Sequence, residues 1–165
     1  MAWTTPRTWV ADELVTATIM NTHVRDNLTY LLTSRSNNVA ASTAQASTSS
    51  TSYVAVDGTN LIVSVTPASS RVLVMATMRV QVDNTASNNA MLQLYGDNGA
   101  GSSAQTARVY QNAYSDVTLF HIYTGLSAGT TYSFYPIYKA ATGTIYVNPQ
   151  FSVVQYNAAV LALEV

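Results

Sequence analysis

Acid–base or nucleophilic chemistry in this chain would have to come from two histidines and eight carboxylates, since it has no cysteine. His121 lies in "TLFHIYTG", where Val117, Leu119, His121 and Tyr123 alternate with Thr118, Phe120, Ile122 and Thr124. That period of two reads as a strand, and the residue reads as a hydrogen-bonded strand histidine rather than a general base. His23 falls in a helical stretch and reads as a surface or interface residue. A Ser-His-Asp set could be drawn from His121, Asp116 and a nearby serine, but no Gly-x-Ser-x-Gly elbow supports it. "DNGAG", Asp97 to Gly101, offers one carboxylate without the following glutamate of a calcium loop, and reads as a loop. Asp57, Asp83 and Asp97 read as turn residues, which leaves no carboxylate pair for glycoside hydrolysis. No phosphate-cradling glycine loop and no His-x-x-x-His occurs. The expectation is a non-enzymatic protein with no metal site and no cofactor.

The aromatic residues are the richer set. Tyr132, Phe134, Pro136 and Tyr138 share one face of a strand, with Tyr135 and Ile137 on the other, while Tyr110 and Tyr114 lie in nearby strands or turns. Rings beside Asn and Gln could contact a glycan or receptor, which makes Tyr110, Tyr114, Tyr132 and Tyr138 the candidate contacts. The same residues could equally fill the core and subunit contacts of a sandwich.

What must position these residues follows from composition and pattern. The chain has 165 residues, of which 48% are hydrophobic and 9% charged. Ordinary soluble domains carry about 25% charge. Hydroxyl and amide side chains and eleven tyrosines take the place of the missing charge. A net charge of −1 gives no electrostatic footprint for nucleic acid. There is no basic run, no long apolar span and no cationic-then-apolar start, so neither membrane insertion nor secretion is expected, and assembly in a cytoplasm is.

Three regions follow. Residues 1–35 form an N-terminal arm and a helix. Trp3, Pro6, Arg7 and Trp9 sit in a stretch too irregular for a regular element and read as docking anchors, or as rings folded back on their own domain. From Thr16, the expected N-cap, to about Leu32 the period is helical: Ala17, Met20, Val24, Leu28 and Leu31 form one apolar stripe. A helix of roughly 24 Å is marginal alone, so the stripe must cover the chain's own β domain or copies of itself. In the second case Asn27 would occupy a core position and fix register. Residues 36–52, rich in Ser, Thr and Ala, read as a linker or first strand. Residues 53–165 read as strands over 53–56, 61–66, 71–82, 90–95, 107–111, 117–124, 131–138, 144–147, 151–156 and 159–165, separated by turn signals such as Asp57-Gly58 and Ala128-Gly129. In "RVLVMATMRVQV" the apolar face is Val72, Val74, Ala76, Met78, Val80 and Val82. Many short strands and a single short helix predict a mainly β fold, an antiparallel jelly-roll sandwich.

The segment "PRTWVADELVTATIMNTHVRDNL" resembles the N-termini of many tailed-bacteriophage virion proteins, in which a Trp, Gly-Glu, Thr-Ala, an Asn and Arg-Asp-Asn recur. Here the matching residues are Trp9, Glu13, Thr16-Ala17, Asn21 and Arg25-Asp26-Asn27, with Asp12 where the pattern often has Gly. The rest, through "SSRVLV", "LSAGTTY" and the terminal "AAVLALEV", is similar in layout to the small trimeric tumour-necrosis-factor-like heads. The resemblance implies a homotrimeric virion-surface protein attached through its N-terminal segment to the major capsid protein or another virion protein. The shortness of the expected helix, a stub of roughly 24 Å, puts a capsid decoration or head-fibre protein first, with a short tail fibre that binds a host surface glycan as the alternative.

Overall fold

The computed structural model describes residues 4–5, 7–28, 38–82, 89–97, 107–110, 114–148 and 157–165. The expected strand over 151–156, together with Trp3, Pro6, Leu31 and Asp83, lies outside these residues. About the same alternation that marks strands in the sequence, the chain builds two antiparallel sheets. The first holds β1 (Asn38–Ser42), β2 (Ala46–Thr48), β5 (Val72–Val82), β8 (Tyr114–Tyr123), β10 (Ile145–Val147) and β11 (Ala158–Glu164). The second holds β3 (Val54–Ala55), β4 (Val63–Val65), β6 (Asn89–Gly96), β7 (Ala107–Tyr110) and β9 (Tyr132–Ala140). The sandwich therefore begins at residue 38, and the Ser/Thr-rich stretch supplies two strands rather than a tether. Small hydroxyl side chains fit a paired edge as well as a linker, which is why composition leaves the choice open.

Strand β5 is the hub of the first sheet. One side pairs with β8 from Val72↔Tyr123 to Gln81↔Tyr114. The other pairs with β11 over Val72–Thr77 and with β10 over Val80–Val82. Beyond these, β1 pairs with β11 and β2 with β10. In the second sheet β9 carries β4 and β3 on one side and β6 on the other, and β6 carries β7. All six even positions of β5, from Val72 to Val82, are buried, as the sequence pattern predicts. They face Leu92, Leu94, Phe134 and Tyr138 of the second sheet within one continuous core.

Two polar residues lock the gaps between elements. Asn148, buried and at a φ of 51°, follows β10 at the break before β11. Its amide nitrogen donates to the Ser42 carbonyl at 2.9 Å, and its own N–H donates to the Arg79 carbonyl, also at 2.9 Å. Asp57 joins the two sheets by accepting from the Ser42 hydroxyl at 3.0 Å. Partial burial pushes its carboxyl up, but hydrogen bonds from the Asn60 N–H, the Asn60 amide, the Thr59 N–H and the Ser42 hydroxyl outweigh this and hold it below its ordinary value. A carboxylate favoured by the fold stabilises it fully above the unfolded value of about 3.9 and progressively less as pH falls through the folded value. The wild-type protein should therefore lose stability below about pH 4 more steeply than Asp57→Asn, read as melting temperature against pH. Equal slopes would remove Asp57 from the account.

Gly96, at the end of β6, is where a side chain would do harm. A Cβ there would lie 2.8 Å from the Tyr123 ring and 2.9 Å from the Phe134 ring. Those rings are themselves in tilted contact, with centroids 4.6 Å apart. Gly96→Ala should lower stability by about 1–3 kcal/mol through overpacking, a drop of roughly 2–12 °C in melting temperature for a chain this size. An unchanged melt would mean that the rings move aside freely.

Candidate functional site

The N-terminal segment is held together by its own polar side chains. Thr16 has the extended backbone of an N-cap, and its hydroxyl accepts from the Ile19 N–H at 3.3 Å. The helix opens as α1 (Ala17–Met20) and continues through a π-helical turn, Asn21–Arg25. Ahead of it the chain turns at Asp12, which has a φ of 60°. Asp is among the few non-glycine residues that tolerate this left-handed region. Arg7 forms an ion pair with Glu13 and places its guanidinium 5.2 Å from the centroid of the Trp9 ring. Among the described residues, no helix is long and apolar enough to cross a membrane.

Asn27 is only 5% exposed. Its side-chain oxygen accepts from the Thr4 N–H at 3.0 Å, and its side-chain nitrogen donates to the Thr4 carbonyl at 2.9 Å. The amide thus holds the arm as a neighbouring strand would. These hydrogen bonds of Asn27 are made within the chain. The His23 carbonyl also accepts from the Asn27 amide at 3.2 Å, and His23 Nδ1 is buried without a partner among the described residues.

The arm covers the Asn27 side of the helix and leaves the apolar stripe bare. Met20 is 45%, Val24 37% and Leu28 54% exposed, Ala17 is exposed as well, and no residue of α1 or the π-helical turn is buried. Trp9, Val10, Leu14 and Val15 add further exposed apolar surface just ahead of the stripe. The hydrogen bonds and ion pairs of this segment join residues 4–27 to one another.

A second apolar surface covers the outer face of the first sheet. Pairing puts Val39, Leu161, Met75 and Phe120 in one row across four strands. The adjoining row is Leu163, Leu73 and Ile122. Val39 is 62%, Phe120 53% and Ile122 41% exposed. A shallow depression of about 160 Å³, lined by Met75, Thr77, Thr118, Ala159 and Leu161 among others, lies in this face. Toward one end of this face Arg79 meets Asp116 at 3.3 Å.

The residues considered for chemistry do not converge. His121 faces inward, its ring edge-to-face on Tyr123 with centroids 4.7 Å apart, whereas Asp116, five positions away on the same strand, faces outward. The Ser-His-Asp set is therefore broken by the two-residue period. Among the described residues, no group of three His, Asp or Glu could hold a metal. The tyrosine set also divides. Tyr138 is 2% exposed, and burial pushes its phenol up to about 12, so it belongs to the core and not to a glycan contact. Tyr132 packs against the core, and its hydroxyl accepts from the Ser127 N–H at 3.0 Å. Tyr114 is exposed on the outer face of the first sheet, and the side chain of Tyr110 lies outside the description. Tyr95 and Tyr135, on the outer face of the second sheet, were not among the expected contacts; the alternation that puts Tyr135 opposite Tyr138 was the signal for one of them. No model of a known protein family matches the chain, and no curated protein matches it.

Asn27→Ala should release the arm without disturbing the sandwich. Hydrogen exchange at the Thr4 amide should accelerate by about tenfold or more, as expected for losing a hydrogen bond of about 1–1.5 kcal/mol together with its pairing geometry. The main thermal transition should stay within a degree or two. Unchanged exchange would show that the arm is held by other contacts.

Proposed function

We propose that this chain is a non-enzymatic structural protein of a tailed-bacteriophage particle: a homotrimer that docks through its N-terminal segment and displays a jelly-roll head. The observation that carries the reading is the pair of uncovered apolar surfaces on one small chain. A monomer seldom leaves such contiguous patches bare unless they bind something. The outer face of the first sheet suits contact between heads, and the helix stripe with Trp9 suits contact between helices and with the particle.

Strand order supports the jelly-roll reading. The chain passes back and forth between sheets, and its last strand returns beside its first, so that β1-β11-β5-β8 faces β4-β9-β6-β7. Crossing between sheets with a late strand returning to pair beside an early one is Greek-key behaviour. The turn at Asp12 supports the N-terminal resemblance, because the position where the phage pattern often has Gly has a φ that glycine adopts freely. Within this reading a capsid decoration or head-fibre protein comes first, since even the expected helix from Thr16 to about Leu32, roughly 24 Å long, makes a stub rather than a shaft. A short tail fibre whose head meets a host glycan is the alternative, favoured by the outward tyrosines of the second sheet.

Sedimentation equilibrium at neutral pH should give three times the chain mass of 17.7 kDa. Phe120→Asp and Val24→Asp should each weaken association by about a hundredfold, because a carboxylate buried without a partner costs about 3 kcal/mol or more. A wild-type monomer at micromolar concentration would sink the assembly. In a pelleting assay with particles stripped of the protein, Trp9→Ala should lose at least about tenfold in affinity, as an interface tryptophan does. Full binding by that variant would move the attachment site elsewhere.

A further inference from the structure

The outer face of the second sheet has a different chemistry from that of the first. Tyr95 and Tyr135 are directly opposed on β6 and β9, and both are half-buried. Their rings pack against one another in a tilted contact, with centroids 5.0 Å apart and planes inclined by 41°. That separation leaves no cage around a ligand, so the pair acts as one aromatic platform. Gln93 lies two residues before Tyr95 on the same face, and Asp97 lies two residues after it. The Asp97 carboxylate is exposed and is fixed in place: its Oδ1 accepts from the Ser133 N–H at 2.8 Å, and its own N–H donates to the Ser133 carbonyl at 3.1 Å. Oδ2 has no hydrogen-bond partner among the described residues. The Ser133 hydroxyl is 3.3 Å from that of Ser64.

The geometry points to a carbohydrate-binding site on this face, built on the Tyr95–Tyr135 platform with Asp97 at its edge. The apolar C–H face of a pyranose packs on aromatic rings, and its equatorial hydroxyls need acceptors and donors at the ring's rim. A carboxylate makes the strongest such acceptor. Burial, then Tyr95, then Asp97 push the Tyr135 phenol up, so the phenol stays protonated and remains a donor at neutral pH. The ligand class is a neutral hexose oligosaccharide. A sialylated or uronic sugar would bring its carboxylate against Asp97, and Lys139 on the same face is placed 4.5 Å from the centroid of the Tyr53 ring. The inference deepens the alternative reading above. It does not depend on the trimer or on the docking of the N-terminal segment, which are read by sedimentation and pelleting.

The test is an array of neutral and acidic hexose oligosaccharides probed with the full chain. Titration calorimetry of the best neutral binder follows, with wild type and four variants. We expect binding to neutral members only. Tyr95→Ala and Tyr135→Ala should each lose at least about tenfold in affinity, since each removes a stacking ring. Tyr135→Phe keeps the platform, guards against a folding defect, and should lose only a few-fold. Thr18→Ala, at an exposed helix position, should bind as wild type. No neutral glycan retained on the array would overturn the site. So would full affinity in Tyr135→Ala, or equal losses in Tyr135→Phe and Tyr135→Ala.

Discussion

Everything in this structure hangs on the two-residue period of β5. Eleven residues, Val72–Val82, hold that period without a slip, and three strands take their register from it. A shift of one residue would turn Val74, Ala76, Met78 and Val80 to solvent and drive Arg79 and Gln81 into the core. At about 25 cal/mol per Å² of buried apolar surface, such a slip would forfeit many kcal/mol. The hub position explains why no staple is needed: pairing on both edges satisfies the backbone of β5, and its inner face is closed by the rings of the second sheet.

The same period produces the apolar outer face of the first sheet. Filling the core uses one face of β5, β8 and β11, and the residues left outside include Leu73, Met75, Phe120, Ile122 and Leu161, with the Arg79–Asp116 pair toward one end. A free-standing sheet would carry polar residues there. The outward face reads as a second inner face without its cover. Under the proposed assembly the chain's low charge belongs to the same pattern, since a surface buried between subunits has no use for charges that would have to be desolvated.

Most of the sandwich was legible because strand signals are local. The runs at 72–82, 132–140 and 158–164 announce themselves by alternation, and the turns between them by Asp-Gly and Ala-Gly. What failed to show was long-range. Residues 38–48 read in sequence as a linker or a first strand, and only pairing with β10 and β11 makes them strands. Asn148 has no local pattern that sets it apart, because its partners are carbonyls 69 to 106 residues away. The tyrosines illustrate the limit best. Alternation separates Tyr135 from Tyr138, but which of the two faces lies inside depends on the sheet opposite, so Tyr138 could not be assigned to the core in advance. Likewise Tyr95 becomes part of a candidate site only through its register with Tyr135.

The N-terminal segment shows the opposite case, in which the sequence marks the right residue for a different task. A buried asparagine in a short amphipathic helix suggests a polar pair between helices. Here the arm reaches Asn27 first, and a backbone peptide is the better partner, because a single primary amide can satisfy both its N–H and its C=O. The consequence for assembly is geometric. With Thr4 held by Asn27, and Arg7 held by Glu13, the arm is folded back on one side of the helix, and the stripe of Ala17, Met20, Val24 and Leu28 is left as the other. Ordering the arm within the chain removes part of the entropy that docking would otherwise have to overcome. The ring of Trp9, with Arg7 against it, is then presented on a fixed support instead of a loose tail.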